Sequence, residues 1–205
     1  MSCHTKFKIN LEMKMTNSRI FSEAGAWMII LFVFLSVGCV SEATETEASQ
    51  QPKLDVEQRL KELGVELRKP SPPTANFVRA VRTGNLVFLA GHGPAKPEGG
   101  VVTGKVGADL SLDQAKEAAR LSAISLLSSL KAEIGDLNKV KRIVKVHGMV
   151  NAVPNFTQHS QVMNGCSDFL VSVFGQRGKH ARAAVGMGSL PRNMAIEIEM
   201  IVEIE

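Results

Sequence analysis

Residues 180–205, HARAAVGMGSLPRNMAIEIEMIVEIE, contain the clearest strand pattern in the chain. Apolar and acidic residues alternate over most of positions 194–205, and this period of two predicts a β-strand with one buried face. Residues 181–188 are also predicted to be extended, and Leu190-Pro191-Arg192-Asn193 is predicted to join the two strands as a hairpin. The residues predicted to face inward are Ile196, Ile198, Met200, Val202 and Ile204, and those predicted to face outward are Glu197, Glu199, Ile201, Glu203 and Glu205.

One arginine and one glutamate in this hairpin suggest a binding site. Arg182 lies among small residues of the first strand, and Glu197 lies on the strand predicted to be its neighbour. A guanidinium group binds a carboxylate through two parallel hydrogen bonds, so the pair predicts a site for a small carboxylic acid. Two simpler interpretations remain open: Arg182 forms an ion pair in an interface, or Glu197 is a solvated strand residue.

The composition of the 205-residue chain is that of one globular domain, with 44% apolar and 21% charged residues. The net charge is +4, of which residues 1–38, with four Lys/Arg and two Glu, supply +2. The remainder is close to neutral, so no concentrated basic face for nucleic acid is expected. Of the three cysteines, Cys3, Cys39 and Cys166, only Cys166 lies in the predicted domain, which excludes an internal disulfide there.

The N-terminal 40 residues have the pattern of a signal peptide. Lys6, Lys8, Lys14 and Arg19 precede an uncharged, apolar run at positions 24–40. The run ends in Leu-Ser-Val-Gly-Cys, which resembles a bacterial lipoprotein signal with Cys39 as the lipidated residue. An ordinary cleaved signal and an uncleaved anchor are the alternatives. Residues 41–53 are polar and acidic, which predicts a flexible linker. Because residues 1–40 have the pattern of a signal peptide, the protein is expected to be exported to the cell envelope.

The predicted domain, residues 54–205, has the element order ββ, helix, strand, helix, ββ after a short first helix. Its α+β pattern predicts a mostly antiparallel sheet with two helices on one face. The other face is too apolar to remain exposed, so an oligomer is expected. The predicted elements are a helix at 55–63, a hairpin at 77–90 with its turn at Gly84-Asn85, a helix from the capping box Ser111–Gln114 to Ile134, a strand at 140–150 and a helix at 158–174.

Short motifs in both terminal hairpins resemble those of a known family. They are Arg182-Ala183-Ala184-Val185, Leu190-Pro191 and Ile196-Glu197-Ile198-Glu199, together with Gly84-Asn85-Leu86-Val87-Phe88 and Ala90-Gly91-His92-Gly93-Pro94. The family is that of the YjgF-type reactive intermediate deaminases (Rid), formerly described as L-PSP endoribonucleases. The resemblance implies a chorismate mutase-like fold and a homotrimer whose sheets form a central barrel. It also implies hydrolysis of imines and enamines of 2-amino acids to 2-keto acids and ammonia, without a cofactor.

The resemblance assigns a role to each candidate site residue. Arg182 corresponds to the arginine that binds the substrate carboxylate, and Glu197 to the glutamate that positions or deprotonates water. The other residues expected at the cleft are Phe77, Gly91, His92, Asn164 and Ala184. Three of them depart from better-known members, because Phe77 stands in place of a tyrosine, His92 in place of a glutamine and Ala184 in place of a cysteine.

These departures keep other functions open. A trimer that binds a carboxylate without catalysis is the main alternative, while a ribonuclease would require a more basic domain. A chorismate mutase would require more than one anchoring arginine for a dicarboxylate. The remaining histidines His147, His159 and His180 have no metal-ligand spacing, so no metal is expected.

Overall fold

The computed structural model describes residues 54–205. The predicted signal peptide at 1–40, the linker at 41–53 and the predicted lipidation site Cys39 lie outside the described residues. The elements are helix α1 (Val56–Glu62), strands β1 (Ala80–Thr83) and β2 (Leu86–His92), helix α2 (Leu112–Ile134), strand β3 (Val140–Asn151), helix α3 (His159–Phe174), and strands β4 (Ala181–Met187) and β5 (Ile196–Ile204).

The strands form one five-stranded sheet in the order β1-β2-β5-β3-β4. All neighbours are antiparallel except β3 and β4, which are parallel. A parallel pair needs a crossover, and here α3 supplies it between β3 and β4. The mostly antiparallel α+β sheet predicted from the sequence is confirmed.

The predicted C-terminal hairpin is wrong, because β3 lies between β4 and β5. Its predicted turn is a 3-10 segment, Pro191–Asn193, in which both Arg192 and Asn193 have a φ of 55°. The physical reason is that β5 pairs on both edges, with β2 and β3. No edge is left for β4, which therefore pairs with β3 instead.

The helix α2 begins and ends as its sequence predicts. The Ser111 hydroxyl accepts from the Gln114 amide at 3.2 Å, and the Gln114 side chain accepts from the Ser111 amide at 2.9 Å. Gly135 caps the C-terminus. In α1, Asp55 accepts from the amides of Glu57 and Gln58 and so caps the N-terminus of the helix.

The two long helices cover one face of the sheet and bury the apolar side of β5. The residues of β5 predicted to face inward are each at most 1% exposed. The opposite face, here called the open face, retains exposed apolar side chains because no helix covers it. In register across its strands lie Val81, Phe88, Ile201 and Lys145, with Val81 53% and Phe88 41% exposed.

The first hairpin is shorter at its start than predicted. Strand β1 begins at Ala80, so Phe77 and Val78 precede it, while the turn at Gly84-Asn85 is as predicted. The proline-rich segment 68–73 has no regular structure. Within residues 54–205, no helix is both long enough and apolar enough to cross a membrane.

Candidate functional site

Arg182 is held on the helix-covered side of the edge strand β4. It pairs with the fully buried Val146 of β3, and residues paired across neighbouring strands share a face. Its Nη1 donates to Asn164 Oδ1 at 3.0 Å and to Ser167 Oγ at 2.9 Å. Its Nη2 donates to the Ser160 carbonyl at 3.3 Å. Helix α3 therefore fixes the end of this side chain.

The three partners of Arg182 form one stripe on α3. Ser160, Asn164 and Ser167 are spaced i, i+4 and i+7, which places them on the same side of a helix. A second contact fixes α3 itself. A Cβ on Gly165 would overlap the backbone carbonyl of Lys116, so the glycine allows α3 to lie directly against α2.

Two of the five N–H donors of Arg182 remain available. Both hydrogens of Nη1 and one of Nη2 are used by α3, and Nε makes no hydrogen bond within the described part of the chain. Because Nη1 and Nη2 both bond α3, the edge between them faces the helix. The Nε edge, with the second Nη2 hydrogen, faces away and has the geometry for a bidentate carboxylate.

Glu197 lies on the open face of β5, in contact with Gly91. A Cβ on Gly91 would overlap the Glu197 carboxylate, so only glycine leaves room for the acid in this position. Partial burial raises the pKa of Glu197, and the neighbouring Glu199 raises it further. Within residues 54–205 the carboxylate forms no hydrogen bond or ion pair. Because no group within residues 54–205 bonds to it, the Glu197 carboxylate is available to accept a proton.

The structure divides the predicted site residues into two groups. Arg182 lies with Asn164 on one face of the sheet, and Glu197 lies with Gly91 on the other. A single chain therefore does not bring Arg182 and Glu197 together.

The remaining predicted site residues are His92, Phe77 and Ala184, and of these Ala184 lies on the same face of β4 as Arg182. His92 is 3% exposed and is bonded internally, through Nδ1 to the Ala90 carbonyl at 2.6 Å and through Nε2 to Ser129 Oγ at 2.7 Å. The structure places its ring under α2 and away from the open face. Phe77 is 49% exposed immediately before β1, and Ala184 is half-buried on β4, packed against the core.

A shallow cavity of about 370 Å³ lies on the open face. Apolar residues line it together with His147 and Glu199, whose Nδ1 and Oε2 atoms are 3.5 Å apart. The apolar lining includes Val78, Val81, Phe88 and Ile201. This is a surface on which a second polypeptide could pack.

Metal chemistry and thiol chemistry have no support in the described residues. Among them, no three His, Cys, Asp or Glu side chains are grouped as a metal site. Cys166 is fully buried, and burial raises the pKa of its thiol to about 12. Its thiol is therefore protonated and inert at neutral pH.

Comparison with known proteins agrees with this arrangement of elements. The family model described as "YjgF/chorismate mutase-like, putative endoribonuclease" matches residues 57–204. This chain belongs to the YjgF/chorismate mutase-like family. The family resemblance and the fold class expected from the sequence motifs are thereby confirmed.

Three relatives show how far the similarity of this YjgF-like chain extends. Protein TCP17 of Trypanosoma cruzi is 41% identical over 146 residues, covering 71% of this chain and 91% of the relative. A 2-iminobutanoate/2-iminopropanoate deaminase of Dermatophagoides farinae is 30% identical over 135 residues, covering 65% and 89%. A crystal structure of a protein with unknown function from Agrobacterium tumefaciens is 43% identical, with a TM-score of 0.68, and covers 75% of this chain and 96% of that one.

The sequence motifs did not reveal every residue at the Arg182 site. Ser160, Ser167 and His180 were missed, although the spacing of the polar residues 160, 164 and 167 on one side of the helix was a usable signal. The position of Asn164 beside Arg182 was expected from the family resemblance, and the structure brings the two into contact.

Proposed function

We propose that this protein hydrolyses small 2-imino and 2-enamino acids to 2-keto acids and ammonia. The observation that carries the proposal is the free Nε edge of Arg182, held in place by three hydrogen bonds to α3. The name of the Dermatophagoides farinae relative, a 2-iminobutanoate/2-iminopropanoate deaminase, supports this choice of substrate.

In the proposed reaction, Arg182 binds the substrate carboxylate and water adds to the neighbouring imine carbon. Glu197 accepts a proton from that water and returns it to the substrate nitrogen. Glu197 then moves the proton of the new hydroxyl group to the amine nitrogen, so that the C–N bond breaks, ammonia leaves and the C=O bond of the keto acid forms. A raised pKa makes Glu197 a stronger base, and general-base help of this kind contributes roughly 10²- to 10⁴-fold in rate.

We propose that the complete site lies between two subunits of a homotrimer. Arg182 and Glu197 are on opposite faces of one sheet, so one subunit would supply the arginine and its neighbour the glutamate. The apolar row Val81, Phe88 and Ile201 on the open face, of which Val81 and Phe88 are exposed, supports such an assembly, because an interface would remove it from water.

The test is the rate of imine consumption by the purified full chain, with 2-iminobutanoate generated in the assay from 2-aminobutanoate by an amino acid oxidase. Spontaneous hydrolysis is subtracted. Arg182→Ala is expected to reduce kcat/KM at least about 100-fold, and Arg182→Lys to recover only part of it, since lysine lacks the bidentate fork. Equal rates for the wild type and Arg182→Ala across a panel of imino acids would refute the proposal.

A carboxylate-binding protein without catalysis is the second candidate. The observation that favours it is Phe77, which offers no hydroxyl to orient a substrate, together with the separation of Arg182 from Glu197. Calorimetry with 2-ketobutyrate separates the two functions. Binding that depends on Arg182, with no turnover of any imine tested, would identify this second function.

RNA is not proposed as a ligand, although the family description includes an endoribonuclease. Residues 54–205 contain 19 Lys/Arg and 15 Asp/Glu, a difference of +4, which equals the net charge of the whole chain. Strand β3 carries the basic residues Lys141, Arg142 and Lys145. Their charge is partly neutralised, because Lys141 Nζ lies 2.8 Å from Glu203 Oε1. RNA affinity with a steep salt dependence would contradict this view.

We also propose that residues 1–40 direct export to the cell envelope and that Cys39 carries the lipid of a lipoprotein. The support is the basic, apolar and small-residue order of the N-terminal sequence. Mass spectrometry of the mature N-terminus tests this directly. An unmodified N-terminus beyond residue 39, or an intact leader, would exclude lipidation.

A further inference from the structure

Helix α3 contains a serine, Ser167, whose hydroxyl joins two side chains, whereas three other helical serines donate to a carbonyl of their own helix. Ser125 and Ser128 of α2 donate to carbonyls four residues earlier in their own helix, which is the ordinary local alternative for a helical hydroxyl. Ser172 donates to the Phe169 carbonyl. Ser167 instead lies between two side chains of the next segment, 2.9 Å from Arg182 Nη1 and 3.0 Å from His180 Nε2.

From this arrangement we infer that Ser167 and His180 are positioning residues, which orient Arg182 so that its Nε edge receives the substrate carboxylate. The inference rests on the proposed function, because it concerns how the same arginine is presented. It assigns a role to two residues that neither the sequence motifs nor the family resemblance identified. Neither residue touches the substrate in this arrangement.

The direction of each hydrogen bond follows from the Gly178 carbonyl, which is the last acceptor in the series that begins at Arg182. His180 Nδ1 lies 2.7 Å from the Gly178 carbonyl, which can only accept, so Nδ1 carries the proton. Nε2 of the neutral ring is then an acceptor, and the Ser167 hydroxyl donates to it. The lone pairs of Ser167 Oγ therefore remain for Arg182 Nη1. Arg182 Nη1 thus donates to Ser167, Ser167 donates to His180 and His180 donates to the Gly178 carbonyl, so each of these three donors has one acceptor.

The surroundings keep the imidazole neutral, as this order requires. Burial lowers the pKa of His180, the Gly178 hydrogen bond opposes this, and the positive charge of Arg182 lowers it further. A hydroxyl fixed by a neutral acceptor cannot rotate away from the guanidinium. The rotamer of Arg182, which is otherwise an exposed side chain on an edge strand, is thereby restricted.

The geometry also explains why both residues are needed. Asn164 and the Ser160 carbonyl alone would leave one Nη1 hydrogen without a partner and would hold the guanidinium through two hydrogen bonds instead of three. Ser167 occupies that hydrogen. His180 in turn prevents Ser167 from adopting the helix-bonded state seen at Ser125 and Ser128.

The experiment compares the affinity for 2-ketobutyrate, by calorimetry, in the full chain and four variants. Ser167→Ala and His180→Ala are expected to weaken binding about 5- to 20-fold and to raise KM more than they lower kcat. His180→Gln is expected to stay within about 3-fold of the wild type, because its amide oxygen can accept at the position of Nε2. Ser125→Ala, a helix-bonded serine away from Arg182, is the matched control and is expected to bind normally.

The outcomes separate this inference from the proposed function. If Arg182→Ala binds as tightly as the wild type, the proposed function fails. If Arg182→Ala abolishes binding but Ser167→Ala and His180→Ala bind normally, only the positioning role fails. The positioning role is also overturned if His180→Gln is as weak as His180→Ala, or if the loss in Ser167→Ala is matched by Ser125→Ala. Thermal melting of each variant shows that the fold is retained.

Discussion

Arg182 and Glu197 lie on opposite faces of the same five-stranded sheet. Arg182 pairs with Val146 on the side covered by α3, whereas Glu197 pairs with Met149 on the open face beside Gly91. No side-chain rotation joins them through the sheet. Catalysis that needs both groups therefore requires two copies of the chain.

Mixed oligomers of two inactive variants test this requirement. Arg182→Ala and Glu197→Gln are each expected to be inactive, because each lacks one half of every site. Co-expression is expected to restore about a third of the wild-type activity in mixed trimers, since one of their three interfaces receives an intact arginine and an intact glutamate from neighbouring subunits. Activity is measured on mixtures purified through two different affinity tags. If mixed oligomers recover no activity, the site is not formed by Arg182 of one subunit and Glu197 of its neighbour.

Substitution of Gly91 is expected to reduce catalysis without unfolding the protein. In Gly91→Ala the new methyl group overlaps the Glu197 carboxylate, which is at the end of a flexible side chain and can move away. The displaced base is expected to lower kcat about 10-fold or more while ligand affinity stays the same. Gly188→Ala is the control, because a Cβ there meets no atom within 4 Å. Unchanged kcat in Gly91→Ala would argue against a catalytic role for Glu197.

A charge on the open face is expected to dissociate the oligomer. Phe88 is 41% exposed and lies in register with Val81 and Ile201, so Phe88→Asp adds a charge to the centre of the apolar row. Sedimentation is expected to show the trimer replaced by smaller species, with the circular dichroism spectrum unchanged. Leu54→Asp, at a residue 39% exposed outside this row, is expected to leave the mass unaltered. A wild-type monomer, or a Phe88→Asp trimer, would contradict the proposed interface.

Substitution of Gly165 is expected to destabilise the fold. Glycine to alanine in a helix interior ordinarily stabilises by up to about 1 kcal/mol. Here the added Cβ overlaps the backbone of Lys116, which cannot move without separating α2 from α3, and overpacking typically costs about 1–3 kcal/mol. Urea unfolding is expected to show a lower midpoint for Gly165→Ala. A higher midpoint would mean that the two helices are not in backbone contact at this position.

The stability of the fold is expected to decrease as the pH falls below about 6.5, the ordinary pKa of histidine. Burial lowers the pKa of His92 in the folded state, and the positive charge of Arg79 acts in the same direction. Below 6.5 the unfolded chain binds a proton that folded His92 does not, so protons favour unfolding until the lowered pKa is reached. His180 contributes with the same sign.

Denaturant unfolding from pH 8 to pH 5 measures this effect. His92→Asn is expected to have a lower free energy of unfolding at pH 8, because Ser129 loses its partner, but a shallower decline towards pH 5. A decline as steep as that of the wild type would show that His92 is not the group that titrates.

The elements could be predicted from the sequence because their signals are local. The capping box at Ser111, the alternation in β5 and the glycine at 84 each depend on a few neighbouring residues. Strand pairing is not local, and the predicted hairpin of β4 with β5 was wrong for that reason. A signal was nevertheless present, since strand, helix and strand in succession from residue 140 to 187 is the pattern of a parallel crossover.

The site could be predicted only in part. Family motifs identified Arg182 and Asn164, which are in contact, and Gly91 and Glu197, which are also in contact. They did not show that these pairs lie on opposite faces, because that depends on the insertion of β3 between β4 and β5. The burial of His92 was missed because the bulge between Leu89 and His92 changes which side of β2 faces the helices.

Every group that binds or orients the Arg182 guanidinium belongs to one continuous segment, from Ser160 to Arg182 itself. If Arg182 binds a carboxylate as proposed, a recombination event that moved this segment would carry the whole anchor with it. The acid on β5 has no such linkage, since its neighbour Gly91 comes from the other end of the domain. Evolution can thus retain recognition of a carboxylate while it replaces the chemistry performed beside it.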